Sequence, residues 1–435
     1  MSILKSYIRN TAGHSITGEN RIVLTNRKPY RSELHDKFSH IDELGLYLHI
    51  PFCRYICPYC PYNKELYKPD LADRYADALI REIDYYSGIV GGRPVTSFYI
   101  GGGTPTSMLN NGMDRVLEHI YAKLNMQCGI HMESHPNDLS QDNLDKLKSL
   151  GVKYLSIGVE ALQERHLNSL KRPYTVSEVC RAVSRATAMG FECVNVDYIF
   201  AIPGQTMKEV EQAGRELIRM DVQQAATYPL FLFPYTRLGN KKVGKPGIST
   251  LVRRRKMLAI LEEQFYSAGY ERSSVWAFTK KGVEKYCSVT VPLYLGLGAS
   301  GGTYLKDIFF LNTFSVREYI KSIEQGEMPV ALSIGLTEKM QMAGWLYWRI
   351  YETRILKKEF YKRFLREFDS VYGKLMNKLA RIGFIVDSGN EVMLTDRGSY
   401  WLHAFEDLFS IDFIGKLWGN SSREPWPSEV ILMQN

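Results

Sequence analysis

Nowhere in its 435 residues does the chain string together the roughly 18 to 20 apolar residues that a membrane-spanning helix needs. Residues 1–15, MSILKSYIRNTAGHS, lack a long apolar run with a small-residue cleavage site, so the expected setting is the cytoplasm. An even set of cysteines is missing too. Seven in a chain of this length argue against a disulfide framework and toward metal ligation or chemistry. Strong charge of one sign is also absent. The formal net charge is +8, and the one dense basic run, RRRK at 253–256, reads as a solvated helix face rather than a nucleic-acid patch. What remains, 45% hydrophobic and 23% charged, is an ordinary globular composition with length for about three domains.

Three of the seven cysteines, Cys53, Cys57 and Cys60, crowd into HIPFCRYICPYCPYNK at 49–64. The other four, Cys128, Cys180, Cys193 and Cys287, are scattered and read as small buried hydrophobes. Three thiolates on one loop suit a soft metal centre. A structural zinc site needs a fourth Cys or His at second-pair spacing, and none follows. In a four-iron cubane, three cysteines leave one iron open, much as a catalytic metal keeps a position for substrate.

Along the chain, β-rich runs alternate with helical patterns. LYLHI (46–50), SFYIGG (97–102), IHMES (130–134), YLSIGVE (154–160), VNVDYIF (194–200) and TYPLFLF (227–233) read as six strands. Between them, Leu71, Tyr75, Ala78, Leu79 and Ile83 form one apolar helical stripe, and Ser140 opens a helix that Gly151 closes. Repeated βα units imply a parallel sheet with right-handed crossovers, as a partial barrel or an open doubly wound sheet. The ligand site then lies at the carboxyl ends of the strands. The cysteine loop follows the first strand, and YIGGGTPTSM (99–108) follows the second, its glycines letting backbone approach a ligand closely. Glu133, Glu160 and Asp197 stand at later strand ends. Buried charges there are costly without partners, so three carboxylates at corresponding heights point to a polar ligand between them.

The CxxxCxxC spacing resembles that of radical S-adenosylmethionine (SAM) enzymes. The fuller stretch LYLHIPFCRYICPYC is similar to the oxygen-independent coproporphyrinogen III dehydrogenase superfamily, a likeness running from Leu46 to Leu394. That resemblance implies an α/β fold, a partial (β/α)6 barrel with a C-terminal winged-helix-like α+β domain. The expected division is an arm at 1–45, the barrel at 46–240, a substrate-side extension at 241–330 and the C-terminal unit at 331–435. It implies a [4Fe-4S] cluster on Cys53, Cys57 and Cys60, with SAM chelated at the open iron and one or two SAM molecules bound in all. Gly102, Gly103 and Thr104 match the loop that holds the SAM amino group, with Glu133 the family glutamate after the third strand. Arg172 in LKRPY matches the arginine facing the SAM carboxylate, a pairing to which arginine is suited. Tyr59 resembles the aromatic near the adenine, Tyr47 a tyrosine near the cofactors, and Asp197 a further cofactor contact. Glu160 departs from the pattern, because relatives often carry glutamine there. The chemistry implied is one-electron cleavage of SAM to a 5′-deoxyadenosyl radical, fed by a donor such as flavodoxin or ferredoxin.

Substrate class follows from departures. Coproporphyrinogen dehydrogenases usually carry a fourth cysteine where this chain has Tyr62. The related haem chaperones carry His-Asn and Tyr-Trp pairs before their YLGxGA segment, and KYCSVTVPLYLGLGASGG (285–302) lacks them. A third branch, the methyltransferases and cyclopropanating or haem-opening enzymes that use two SAM molecules, remains by elimination. The expectation is therefore methyl or alkyl transfer to a large conjugated, tetrapyrrole-like substrate. Oxidative decarboxylation of coproporphyrinogen is the alternative.

After residue 331, Phe360, Phe364, Phe368, Val371, Leu375 and Leu379 recur at helical spacing and read as core, and FIVDSGNEVMLT reads as a hairpin. Helix plus hairpin suggests a winged-helix-like unit, and with it an alternative of another class, a nucleic-acid-binding or RNA-modifying protein. Nucleic acid is not the expected partner, because no Lys/Arg-dense reading helix stands out. The aromatic tail, with Trp401, Phe405, Leu408, Phe409, Phe413 and Trp418, reads as burial against the barrel, with a membrane surface or a flat apolar substrate as alternatives.

Overall fold

The computed structural model describes residues 18–240, 248–286 and 293–434. Cys287 and part of the 285–302 segment lie outside them. Six parallel strands, β1 Leu44–Ile50, β2 Pro94–Gly102, β3 Ile130–Ser134, β4 Val152–Glu160, β5 Cys193–Phe200 and β6 Gln224–Pro229, stand side by side in chain order. Helices link each strand to the next, as right-handed βα crossovers require. This is the expected partial barrel. Its wall extends at both edges. Tyr294–Leu297 runs parallel to the free edge of β1, and Ala277–Lys280 runs antiparallel to β6. Antiparallel strands continue beyond Tyr294–Leu297 to Arg21–Thr25, whose outer partner is Glu429–Gln434. Strand and helix from the first 45 residues thus belong to the packed body, Arg31–Ser39 burying Leu34 and Phe38 in the main core.

Local signals account for the frame. Helix Pro69–Val90 starts on a proline at its first turn, where no N–H is needed, and buries the stripe Leu71, Tyr75, Ala78, Leu79 and Ile83. The Ser140 hydroxyl accepts from Asn143 N to cap Gln141–Ser149, and Gly151, at φ +86°, closes it. Capping boxes at Thr175 and Thr206 start the helices leading into and out of β5.

Three expectations are corrected. The sixth strand is Gln224–Pro229 rather than 227–233, because its neighbour β5 ends at Phe200 opposite Pro229, leaving residues beyond without a ladder. RRRK is a solvated face only in part, with Arg253 and Lys256 exposed and Arg254 and Arg255 half-buried. Arg253 and Arg254 donate to the carbonyls of Gln205 and Leu230, and Arg255 pairs at 2.7 Å with the buried Glu262. The C-terminal stripe breaks in two, since Leu365 takes a left-handed conformation between helices Lys357–Phe364 and Phe368–Arg381. That break resets the helical phase. Phe360, Phe364, Phe368 and Met376 are core, while Val371 and Leu375 face solvent.

With helix Glu338–Tyr351 and a three-stranded sheet of Arg354–Leu356, Glu391–Leu394 and Ile385–Asp387, these helices make a winged-helix arrangement around their own core. Helix Asp396–Ser421 then returns to the barrel. Along it Trp401 packs on the main core and Phe413 on the terminal strands, Trp418 meets Phe314 and Tyr62, and Phe405 is exposed. The side chain of Leu408 lies outside the described residues. No described helix is long and apolar enough to cross a membrane.

Candidate active site

The cysteine loop leaves β1 and is pinned at both ends by the short parallel pair Phe52–Cys53 and Glu65–Leu66. Leu238 N donates to Pro58 O at 2.9 Å and the Tyr235 hydroxyl to Pro61 O at 2.9 Å, so the segment after β6 braces its middle. Each sulfur or its backbone has a donor beside it. Thr104 Oγ1 donates to Cys53 Sγ at 3.5 Å, Arg172 Nη1 to Cys57 Sγ at 3.1 Å, and Lys64 Nζ to Cys60 O at 2.8 Å. Burial pushes the Cys53 thiol up to about 11 and the Cys60 thiol to about 12. A metal must therefore displace their protons.

The glycine run lies flush against this loop. A Cβ on Gly103 would sit 2.7 Å from Pro51 O, and Gly102 holds φ +124° with its N–H donating to Glu133 Oε2 at 3.0 Å. Only glycine fits there. The second oxygen of Glu133 accepts from the Tyr99 hydroxyl at 2.5 Å, which in turn accepts from Tyr286 at 2.8 Å.

Strand register arranges the interior in rungs. Tyr47, Tyr99, His131 and Tyr154 are successive partners across β1 to β4, and Tyr47 stacks on Tyr99 at 6.1 Å. Tyr47 faces His49, its hydroxyl 2.7 Å from Nδ1, rather than the sulfurs. One rung higher, Glu133 stands opposite Ser156, which pairs with Asn195. Asp197 pairs with Gly158 a rung above that, and Glu160 lies beyond. The carboxylates are therefore not at one height, as the strand ends suggested. Two residues of strand, about 6–7 Å, separate Glu133 from Asp197, and a bulge after Gly158 sets Glu160 opposite Tyr198, one residue beyond Asp197. Ser156 and Asn195 donate to Asp197 at 2.8 and 3.1 Å.

Arg172 and Glu160 meet at the top. Glu160 takes φ +64°, a left-handed backbone disfavoured for a side chain, and its Oε1 lies 3.7 Å from Arg172. The guanidinium also donates to the Tyr174 hydroxyl at 2.6 Å and to Gly158 O at 3.1 Å. Glu160 Oε2 and the Tyr59 hydroxyl are both buried, and the Tyr59 and Tyr228 hydroxyls stand beside the Glu160 carboxylate as donors. Burial raises Glu160 and Glu133 to about 7 and Asp197 to about 6. Tyr62 is 50% exposed yet burial holds its phenol well above the usual range, with Glu133 among the charges nearby.

Comparison with known proteins places this geometry. Residues 47–217 match the family model described as the Radical SAM superfamily. The chain is 28% identical over 360 residues to the haem chaperone HemW of Bacillus subtilis, covering 81% of this chain and 95% of that one. It is 24% identical over 315 residues to the oxygen-independent coproporphyrinogen III oxidase of Escherichia coli, with 68% of each chain covered. The solved structure of E. coli coproporphyrinogen III oxidase (HemN) superposes with TM-score 0.76 at 20% identity, over 87% of this chain and 93% of that one. Residues 47–217 thus carry a radical SAM domain, and the chain as a whole shares the fold of HemN. Its cofactors are a [4Fe-4S] cluster and SAM.

The residues present fit a radical SAM centre. Among the described residues no three His, Cys, Asp or Glu side chains close on a single ion. Three thiols on one loop, ringed by an arginine, a lysine and a hydroxyl, suit a larger anionic group. Beside it the buried Glu160 carboxylate and Tyr59 hydroxyl are polar groups suited to a polar ligand. Sequence reasoning missed Tyr99, Tyr174, Ser156 and Asn195. The last two were within reach, because stepping back by twos from Glu160 and Asp197 along their strands arrives at them.

Proposed function

We propose that this HemN-like radical SAM protein transfers a methyl or alkyl group to a large conjugated, tetrapyrrole-class substrate. The observation that carries the reading is the convergence of the three cysteines with Arg172, Glu160, Tyr59 and the Gly102–Glu133 contact on one face of the barrel. When bound, the cluster and SAM supply one-electron cleavage of a carbon–sulfur bond and the hydrogen-abstracting radical that follows. The chain's own residues do the rest. Cys53, Cys57 and Cys60 are the metal ligands, and Glu133 with the Gly102–Thr104 backbone takes the amino group of SAM. Arg172 takes its carboxylate, with Tyr59, Glu160 and Asp197 toward the nucleoside and Tyr47 behind them. Enclosure by Tyr62, Tyr228 and the returning helix Asp396–Ser421 keeps water from the reacting atoms. The electron comes from a flavodoxin- or ferredoxin-type donor.

The relatives named for haem and coproporphyrinogen support a tetrapyrrole-class substrate. Tyr62, at the sequence position where coproporphyrinogen dehydrogenases usually carry a fourth cysteine, favours transfer over oxidative decarboxylation. The test is anaerobic. Reconstituted protein, SAM, dithionite and candidate tetrapyrroles are mixed, and 5′-deoxyadenosine and S-adenosylhomocysteine are quantified together. Both rising in step supports group transfer from a second SAM. Release of 5′-deoxyadenosine alone, with loss of substrate carboxylates, sinks it.

A further inference from the structure

Seven of the fifteen large apolar side chains that are exposed among the described residues fall within 361–393. Leu365 is 78% exposed, and Ile382 and Val386 are 51% and 54%. On helix Phe368–Arg381 the buried side is taken by Phe368, Tyr372, Met376 and Leu379. Its other side carries Val371, Lys374, Leu375 and Lys378, followed by Arg381 and Ile382, a run at i, i+3, i+4, i+7, i+10 and i+11 that keeps to one face. Those three cations are exposed and make no hydrogen bond or ion pair among the described residues, and no acidic residue occurs from 370 to 383. On the adjoining hairpin Val386 and Met393 are direct cross-strand partners, both turned outward while Ile385 and Val392 fill the core.

We propose that this face of the winged-helix unit docks on an anionic phospholipid surface. Aliphatic side chains between unpaired lysines and arginine match a membrane interface, where apolar groups enter the headgroup boundary and cations meet negative lipid. A nucleic acid is the poorer fit. Its contacts run largely through phosphates and polar side chains, and aliphatic residues projecting between the cations gain little against a phosphate backbone. A protein partner is poorer too, because interface cores are depleted of lysine. The inference is independent of the reaction at the barrel.

The test is co-sedimentation of the intact, cluster-reconstituted protein with vesicles of equimolar phosphatidylglycerol and phosphatidylcholine, against phosphatidylcholine alone. Binding is expected only to the anionic vesicles, weakening with salt. Each of Lys374→Ala and Lys378→Ala should lower partitioning by about fivefold. Leu375→Ser with Ile382→Ser should lower it in a salt-independent way. All four positions are on the surface, so melting temperature and cluster absorbance should stay unchanged. No binding to anionic vesicles, or binding indifferent to both sets, overturns the proposal. So does lysine-dependent binding of a labelled RNA or DNA duplex by protein that ignores vesicles.

Discussion

The guanidinium of Arg172 lies 3.1 Å from the sulfur of Cys57. Arg172 sits beyond β4 and Cys57 on the loop after β1, so the contact closes the arc of strands over the cluster position. The same guanidinium is the counter-ion of Glu160, whose carboxylate is otherwise buried without a cation. One side chain thus couples the cysteine loop to Glu160 at the far end of the strands.

Arg172→Lys keeps the charge and loses the fork. It should leave the brown cluster absorbance in place and weaken SAM binding by at least about tenfold, or about 1.4 kcal/mol. Anaerobic calorimetry with SAM decides it, and unchanged affinity would remove Arg172 from the SAM site. Arg172→Ala strands Glu160 as a buried unpaired charge and should cost about 3–5 kcal/mol of stability.

Cys57→Ala should abolish both cluster absorbance and SAM cleavage. Iron and sulfide per chain after reconstitution are the measurement, and a full cluster in the variant contradicts the ligand assignment.

Gly103→Ala drives a methyl group against the Pro51 carbonyl, which is backbone and cannot rotate away. The cysteine loop must shift, at a cost of about 1–3 kcal/mol. A lower melting temperature with reduced iron content is expected, and a variant that loads iron normally means the loop tolerates displacement.

Glu133 has its carboxyl raised from the ordinary 4.5 to about 7 by burial. An acid whose folded pKa is raised binds protons more tightly when folded, so its contribution to stability is present at low pH and lost as pH rises through about 7. Cofactor-free protein should therefore lose melting temperature between about pH 5 and 8, and Glu133→Gln should flatten that decline. Added SAM, which brings a cationic amino group, should stabilise the wild type more at pH 8 than at pH 5.5. Equal slopes for the variant and wild type contradict the account.

In the winged-helix core, Phe368→Ala should cost about 3–5 kcal/mol, because it empties a fully packed site. Val371→Ser should stay within about 0.5 kcal/mol. Denaturant melts separate the two, and a large cost at Val371 restores the single continuous stripe.

Local chemistry determined much of this protein before any folding was considered. Thiol spacing on a loop, apolar strand runs, glycine at a close approach and serine at a helix start act within a few residues, so Cys53, Cys57 and Cys60, the six strands and the cap at Ser140 were readable in order. What depends on register or distant partners was not. Whether Glu133, Asp197 and Glu160 share a height depends on how three strands slide past one another and on the bulge after Gly158, and they do not. The three arginines of RRRK became paired because Gln205, Leu230 and Glu262 lie across from them, while Lys256 stays exposed. The phase of the C-terminal helices turned on one left-handed residue, Leu365, which moved Val371 and Leu375 from core to surface. A chain's periodicities record which residues can be buried together, and only the packed structure selects which of them are.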